Sequence, residues 1–374
     1  MLKTATLTWN SFPNYGTMLQ AYALQQYLIS LGCENQIIDD NSIVYATSKN
    51  TKKQNIWKYR LTRLRESLHS DYRSFYASQR KYCPKMASFK KQYLKVDYDI
   101  DNVLCDKADY DYYICGSDQI WSPQASGTAE RTFFFAGFSK RKKISYAPSL
   151  GVSSLSKEYV LFVKKQLYSF QSLSIREEIG RKILMNLTDK EVKVVVDPTM
   201  LLSKTDWEKI IPKAPRAKER YVLGYILTYN ESYLSAIRKY ARRNKIKFYL
   251  FFLDKAFYGK ADKLITGGPL DFLAYIKNAE IVFTDSFHGS IFSALLETPF
   301  YTLRRFQEDS IESQNSRIDT LMTIMDIKHL LLNEETCIDI KDPIIDFQRI
   351  KTSLKPHIEN SKQFLKNALH AADM

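Results

Sequence analysis

The sequence predicts an α/β fold built from two doubly wound domains that face each other across a cleft. Three observations predict it. Short apolar, β-branched runs alternate with helical patterns along the chain, as parallel sheets with crossover helices require. The 374 residues exceed one ordinary core and suit two of roughly 150–200 residues each. A tract at 211–220, with Pro212 and Pro215 among charged residues, separates two such alternating units.

In the first unit Thr4–Thr8 reads as a strand. A helix over Gly16–Leu31 follows, with Leu19, Ala23, Leu24, Tyr27 and Leu28 on one face and Gly32 as its stop. Further strands are predicted at Asn35–Asp39, Tyr110–Cys115, Lys143–Ala147, Leu173–Ile175 and Lys193–Val196. In the second unit strands are predicted at Tyr221–Leu227, Phe248–Leu253, Ile281–Thr284 and Phe300–Leu303. Helices are expected there at Ser232–Asn244, Pro269–Asn278, Gly289–Leu296 and Arg317–Met325. The expected domains are 1–210 and 221–343, with a helix over 344–374 packing back onto the first. The stretch 49–95 interrupts the rhythm and reads as an inserted helical element.

Composition narrows the class. Hydrophobic residues at 45% and charged residues at 26% are ordinary for a globular chain, which argues against global disorder. The five cysteines are irregularly spaced with no CxxC pair, which argues against a disulfide framework and a structural zinc site. No apolar run approaches the ~20 residues that span a bilayer. The start of the chain reads as a strand rather than a signal peptide, so a cytoplasmic location is expected. The net charge of +14 is concentrated: 14 basic residues lie between Lys49 and Lys95, against only Glu66 and Asp71. A nucleic-acid binder would be more evenly basic and carry a recognised motif, so no nucleic-acid partner is expected.

Four constellations carry chemistry. Asn14-Tyr15-Gly16-Thr17 joins a strand to a helix, where free N–H groups favour an anion; the competing reading is a plain helix cap. Gly116-Ser117-Asp118-Gln119 follows a strand directly, at the end where α/β proteins place substrate groups. A turn with a cap competes. Thr284-Asp285-Ser286-Phe287-His288-Gly289 follows an apolar strand and opens a helix. His288 is the one histidine of five in such a setting; it can exchange a proton near neutral pH, with Asp285 to orient it. Arg176, Arg304, Arg305 and Arg317 lie in matching contexts and offer two-point bonding to carboxylate or phosphate; surface salt bridges are the alternative. The P-loop, GxGxxG, HExxH and GxSxG motifs are all missing.

These motifs make the sequence resemble the polysaccharide pyruvyl transferase family. The matching residues are Asn14–Thr17 with Gln20 and Ala21, Gly116–Trp121, Ile175-Arg176-Glu177-Glu178, Asp197–Leu202, Thr284–Gly289 and Asn315-Ser316-Arg317-Ile318, in family order. The resemblance implies a GT-B-like pair of Rossmann-like domains. It also implies phosphoenolpyruvate as donor, a sugar of a cell-surface polysaccharide as acceptor, and a pyruvate ketal and phosphate as products. Some members carry Arg where this chain has Ser286, which removes one anion ligand.

The chemistry sets requirements of its own. Ketal formation needs an acid/base group and fixed positive charge. His288 with Asp285 fills the first role. Arg176, Arg305 and Arg317, with Asn14–Thr17, Gly116–Gln119 and Ser286, fill the binding role. No cofactor or metal is expected beyond phosphoenolpyruvate as co-substrate. The alternatives are a GT-B glycosyltransferase using a nucleotide sugar, or a non-catalytic glycan- or membrane-binding module. In 49–95, Trp57, Tyr59, Leu61, Leu64, Leu68, Tyr72, Phe75 and Tyr76 interleave with basic residues. Such a helix can meet the inner face of a membrane or a lipid-diphosphate-linked acceptor; a solvated hairpin packed on the first domain competes.

Overall fold

The computed structural model describes residues 1–11, 14–40, 70–97, 110–123, 134, 142–212, 219–305 and 315–370. Two parallel sheets organise the chain. The first contains β1 (Lys3–Leu7), β2 (Glu34–Ile38), β3 (Val96–Asp97), β4 (Tyr112–Cys115), β5 (Lys142–Ser145), β6 (Phe170–Ile175) and β7 (Val192–Val194). Its order is β3-β2-β1-β4-β5-β6-β7. The second contains β8 (Tyr221–Tyr225), β9 (Lys247–Phe251), β10 (Lys263–Ile265), β11 (Ile281–Thr284), β12 (Phe300–Leu303) and β13 (Leu331–Leu332). Its order is β10-β9-β8-β11-β12-β13.

Every paired strand runs parallel to its neighbour, so helices must cross over the faces. This is why β4, β8 and β11 read as nearly unbroken apolar runs: both of their faces are covered. The alternation read from the sequence therefore gives both doubly wound units. It does not reveal the two- and three-residue strands β3, β10 and β13, which are too short to carry a period.

Helix α1 (Tyr15–Ser30) is buried along most of its length, capped by Asn14 at its start. Helix α2 (Ser70–Tyr93) is the described part of the basic insertion; residues 49–69, including Trp57 to Leu68 of the interleaved set, lie outside the described residues. From Tyr82 onward its apolar face is built into the protein. Tyr82, Met86 and Phe89 are buried, and Phe89 meets Tyr22 of α1 at 6.1 Å. Lys90 reaches Asp39 at 2.7 Å, while Lys85 reaches Asp271 at 2.8 Å in the second unit. One helix thus ties both sheets together.

The final helix, α3 (Phe347–His370), spans the same join. Its Ser361 Oγ accepts the Val196 N–H at 2.9 Å, and Phe364 lies against Tyr146 of the first unit. The larger core cluster follows these contacts and runs continuously from α1 through the second sheet to α3.

Candidate functional site

Strand order reverses direction between β1 and β4 in the first sheet and between β8 and β11 in the second. Loops leaving strands at such points cannot cross over one another, which opens a crevice at the strand ends. Gly116-Ser117-Asp118 leaves β4 at one reversal, and Asp285-Ser286 leaves β11 at the other. The chain then enters the helix Phe287–Leu295, whose first turn carries His288.

His288 crosses to the first unit. A methyl group built on Gly16 would lie 2.1 Å from its Nδ1 and 2.3 Å from its Cγ. Only glycine leaves room for the imidazole there, and the ring is buried. The other ring nitrogen, Nε2, stands 3.4 Å from Asp197 Oδ2. That is an ion-pair distance, but the direction is not that of a hydrogen bond.

Asp197 is the hub. Its Oδ2 accepts from Arg176 Nη1 at 2.6 Å and from Ser117 Oγ at 3.2 Å. Its Oδ1 accepts from the Thr199 N–H at 3.0 Å and Thr199 Oγ1 at 2.7 Å. Burial pushes this carboxyl up. The charge and proximity of His288, then Arg176 and Thr199, outweigh that and hold it well below the usual carboxylate range.

Asp118 is the second carboxylate. Its backbone sits at φ 75°, in the left-handed region that side chains rarely adopt. Such strain is held in place by surrounding structure: Oδ2 accepts from Thr17 Oγ1 at 2.7 Å, and Oδ1 from the Gln119 N–H at 2.9 Å. Burial raises this carboxyl too, but Arg176, His288, Thr17 and Arg317 together hold it low. It stays ionised at neutral pH.

Arg176 is buried at 4% exposure. Nη1 is used by Asp197, and the guanidinium lies over the Phe287 ring at 4.4 Å. Nε and Nη2 have no hydrogen-bond partner; Nη2 stands 4.0 Å from Asp118 Oδ1. Arg317 lies close by. Burial, then the like charge of Arg176, press its guanidinium below its usual range, and Arg305 adds to this. Two guanidinium groups, Arg176 and Arg317, that repel each other in a buried space favour an anion between them.

The structure brings Gly16, Thr17, Ser117, Asp118, Arg176, His288 and Arg317 together, whereas Gly116 faces Thr6 and Thr8. Others lie elsewhere. Asp285 does not orient His288: its oxygens accept the Leu227 and Thr228 N–H groups at 2.7 and 3.0 Å, and Arg305 Nε at 3.3 Å. Asp197 is the carboxylate beside the imidazole instead. Tyr15 is fully buried, stacked on Phe272 at 4.8 Å, so it is a core residue joining the two units. Asn14 and Ser286 cap their helices. Gln119 places its amide against Gly151. Asp197, Phe287 and Thr199 were not singled out as site residues from the sequence. An Asp-Pro step after a strand looks like a turn, and only its place in the family motif set marked it.

Beyond this centre an open groove of ≈ 1030 Å³ runs between the units, lined among others by Glu178, Val194, Asn315, Ser316, Thr320 and Lys328. Paired doubly wound sheets with a charged centre at their facing strand ends define a GT-B-like enzyme. Solved structures support the fold. A UDP-N-acetylglucosamine 2-epimerase aligns with a TM-score of 0.55 at 10% identity, covering 100% of this chain and 96% of that one. A putative UDP-N-acetylglucosamine 2-epimerase from Listeria monocytogenes aligns at 0.52 and 11% identity, covering 97% and 91%. Comparison with curated proteins finds no match. The polysaccharide pyruvyl transferase family model matches residues 14–305, and the chain belongs to that family. It is a transferase.

Proposed function

We propose that this enzyme transfers the pyruvyl group of phosphoenolpyruvate onto two hydroxyls of one sugar residue, releasing phosphate. One observation supports this most: Arg176, buried beside Arg317 and His288, keeps Nε and Nη2 without a partner. Unpaired buried N–H groups cost free energy, so they are kept where a ligand satisfies them. A donor with a carboxylate and a phosphate matches several cations facing one space.

One sugar hydroxyl adds to C2 of phosphoenolpyruvate while the C3 methylene gains a proton and becomes a methyl group. The second hydroxyl then bonds to C2 as the C2–O bond to phosphate breaks, and its proton leaves with the phosphate. His288 delivers the methylene proton; ionised Asp118 accepts from the attacking hydroxyl. Arg176 and Arg317 offset the donor's negative charge. This is acid–base and electrostatic chemistry, so the reading calls for no cofactor or metal. Its acceptor is a cell-surface glycan sugar carried on a lipid diphosphate, met by the basic segment 49–95. No helix among the described residues is long and apolar enough to cross a membrane.

A thermal-shift screen tests the donor, since a ligand that binds the native state raises the midpoint. Phosphoenolpyruvate should raise it at lower concentration than UDP-N-acetylglucosamine does. The reverse order would favour a glycosyltransferase using a nucleotide sugar.

A further inference from the structure

A guanidinium group presents its N–H bonds along distinct edges, and contacts already made decide which edge remains. At Arg176 two contacts are in place. The guanidinium carbon lies over the Phe287 ring, 4.4 Å from its centroid, so the ring bounds one side of the group. Asp197 takes Nη1 at 2.6 Å, which limits its rotation. Asp197 is itself immobilised by Thr199 and Ser117, and it is fully buried. Phe287 is anchored in the first turn of its helix and is 8% exposed.

The remaining edge is the pair Nε and Nη2, the two nitrogens that lack partners. Their N–H bonds run side by side in one plane at the spacing of the two oxygens of a carboxylate. We propose that Phe287 and Asp197 are positioning residues that present the Nε–Nη2 edge of Arg176 as a fork for the donor's planar carboxylate. The inference rests on the pyruvyl-transfer reading and adds to it a division of labour. The fork takes the carboxylate, leaving the phosphate to other cations of the site. Discrimination between donors then comes from geometry as well as charge. Phosphate satisfies a point charge such as lysine, whereas a fork held between the Phe287 ring and Asp197 favours two coplanar oxygens.

The test is calorimetric titration of phosphoenolpyruvate, oxalate and inorganic phosphate into the full chain and its variants. Phe287→Leu keeps apolar volume and removes the ring face. It should weaken phosphoenolpyruvate and oxalate roughly tenfold, the scale of a desolvated cation–π contact, and leave phosphate within about twofold. Phe287→Tyr restores the ring and should restore carboxylate affinity. Equal weakening of all three ligands, or of none, overturns the inference. Should Phe287→Leu fail to fold, Arg176→Lys keeps the charge and removes the fork. Loss of oxalate binding with phosphate retained supports the proposal; parallel loss or retention of both overturns it. The wild-type titrations separate the two levels. A wild type that binds phosphoenolpyruvate, with variants that bind it equally, sinks the fork alone. A wild type that ignores phosphoenolpyruvate sinks the donor reading beneath it.

Discussion

The two units place similar residues at equivalent points and use them in opposite ways. Ser117-Asp118 leaves β4 in the first sheet; Asp285-Ser286 leaves β11 in the second. Both carboxylates stand beside the central strand of their sheet, where the strand order reverses. Asp118 is held at φ 75° with its carboxylate toward Thr17 and, at 4.0 Å, Arg176. Asp285 turns inward instead and gathers the N–H groups of Leu227 and Thr228 and the Arg305 guanidinium. Burial pushes Asp285 up, whereas the surrounding cations hold Asp118 down. Position in the fold therefore offers a functional seat at both reversals, but the neighbours decide which carboxylate faces chemistry and which one builds scaffold.

The contrast can be broken by substitution. The acid–base group proposed from the second unit is His288, and His288→Ala should cost about 10²–10⁴ in turnover, the scale of a general acid–base group, with the fold intact by circular dichroism. Normal turnover in a folded variant would remove the assignment. Loss of the hub comes next: Asp197→Asn leaves Arg176 buried without its counter-charge and should destabilise by about 3–5 kcal/mol in urea unfolding. Because the folded carboxyl is held low, that contribution is present above the unfolded value of about 3.9 and disappears as pH falls through the folded one. A stability difference that grows in acid would contradict the assigned charge state.

The paired aspartates sharpen the comparison further. Asp285→Asn should lower stability by about 1–3 kcal/mol, because an amide nitrogen replaces one of the two oxygens that accept the Leu227 and Thr228 N–H groups, and affect kcat through the scaffold only. Asp118→Asn should reduce kcat/KM far more than Asp285→Asn does, with a stability loss of its own because the fold holds its carboxyl low. Identical phenotypes would erase the distinction. The smallest effect concerns the basic segment. Reversing Lys58, Arg60 and Arg63 to Glu should abolish sedimentation with anionic liposomes at low salt and leave turnover of a short water-soluble acceptor unchanged. Binding to neutral liposomes as strong as to anionic ones would rule out the charge-driven contact.

The same contrast explains what the sequence could say. Alternation of apolar runs and helical stretches was enough for two doubly wound sheets, because buried parallel strands and crossover helices leave strong local patterns. Residues at strand ends were legible as a group: Ser117, Asp118, Arg176 and His288 meet around Asp197. Their pairing was not legible. Asp285 is three residues from His288 in sequence, yet the carboxylate beside that imidazole is Asp197, contributed by the other unit. Tyr15 looked like part of an anion loop, but its partner Phe272 lies far along the chain, and no local period reports such a contact. Gly16 was legible as a close approach; what approaches in this structure is the His288 ring.

The central claim is that phosphoenolpyruvate gives up its pyruvyl group at the His288–Asp197–Arg176 centre. The most direct measurement is phosphorus and proton nuclear magnetic resonance on the protein with phosphoenolpyruvate, UDP-N-acetylglucosamine and a panel of methyl hexosides. The account predicts inorganic phosphate that appears only when an acceptor is present, accompanied by a new methyl singlet from the ketal, and loss of both signals in His288→Ala. Phosphoenolpyruvate that stays intact across the panel while UDP is released would contradict it.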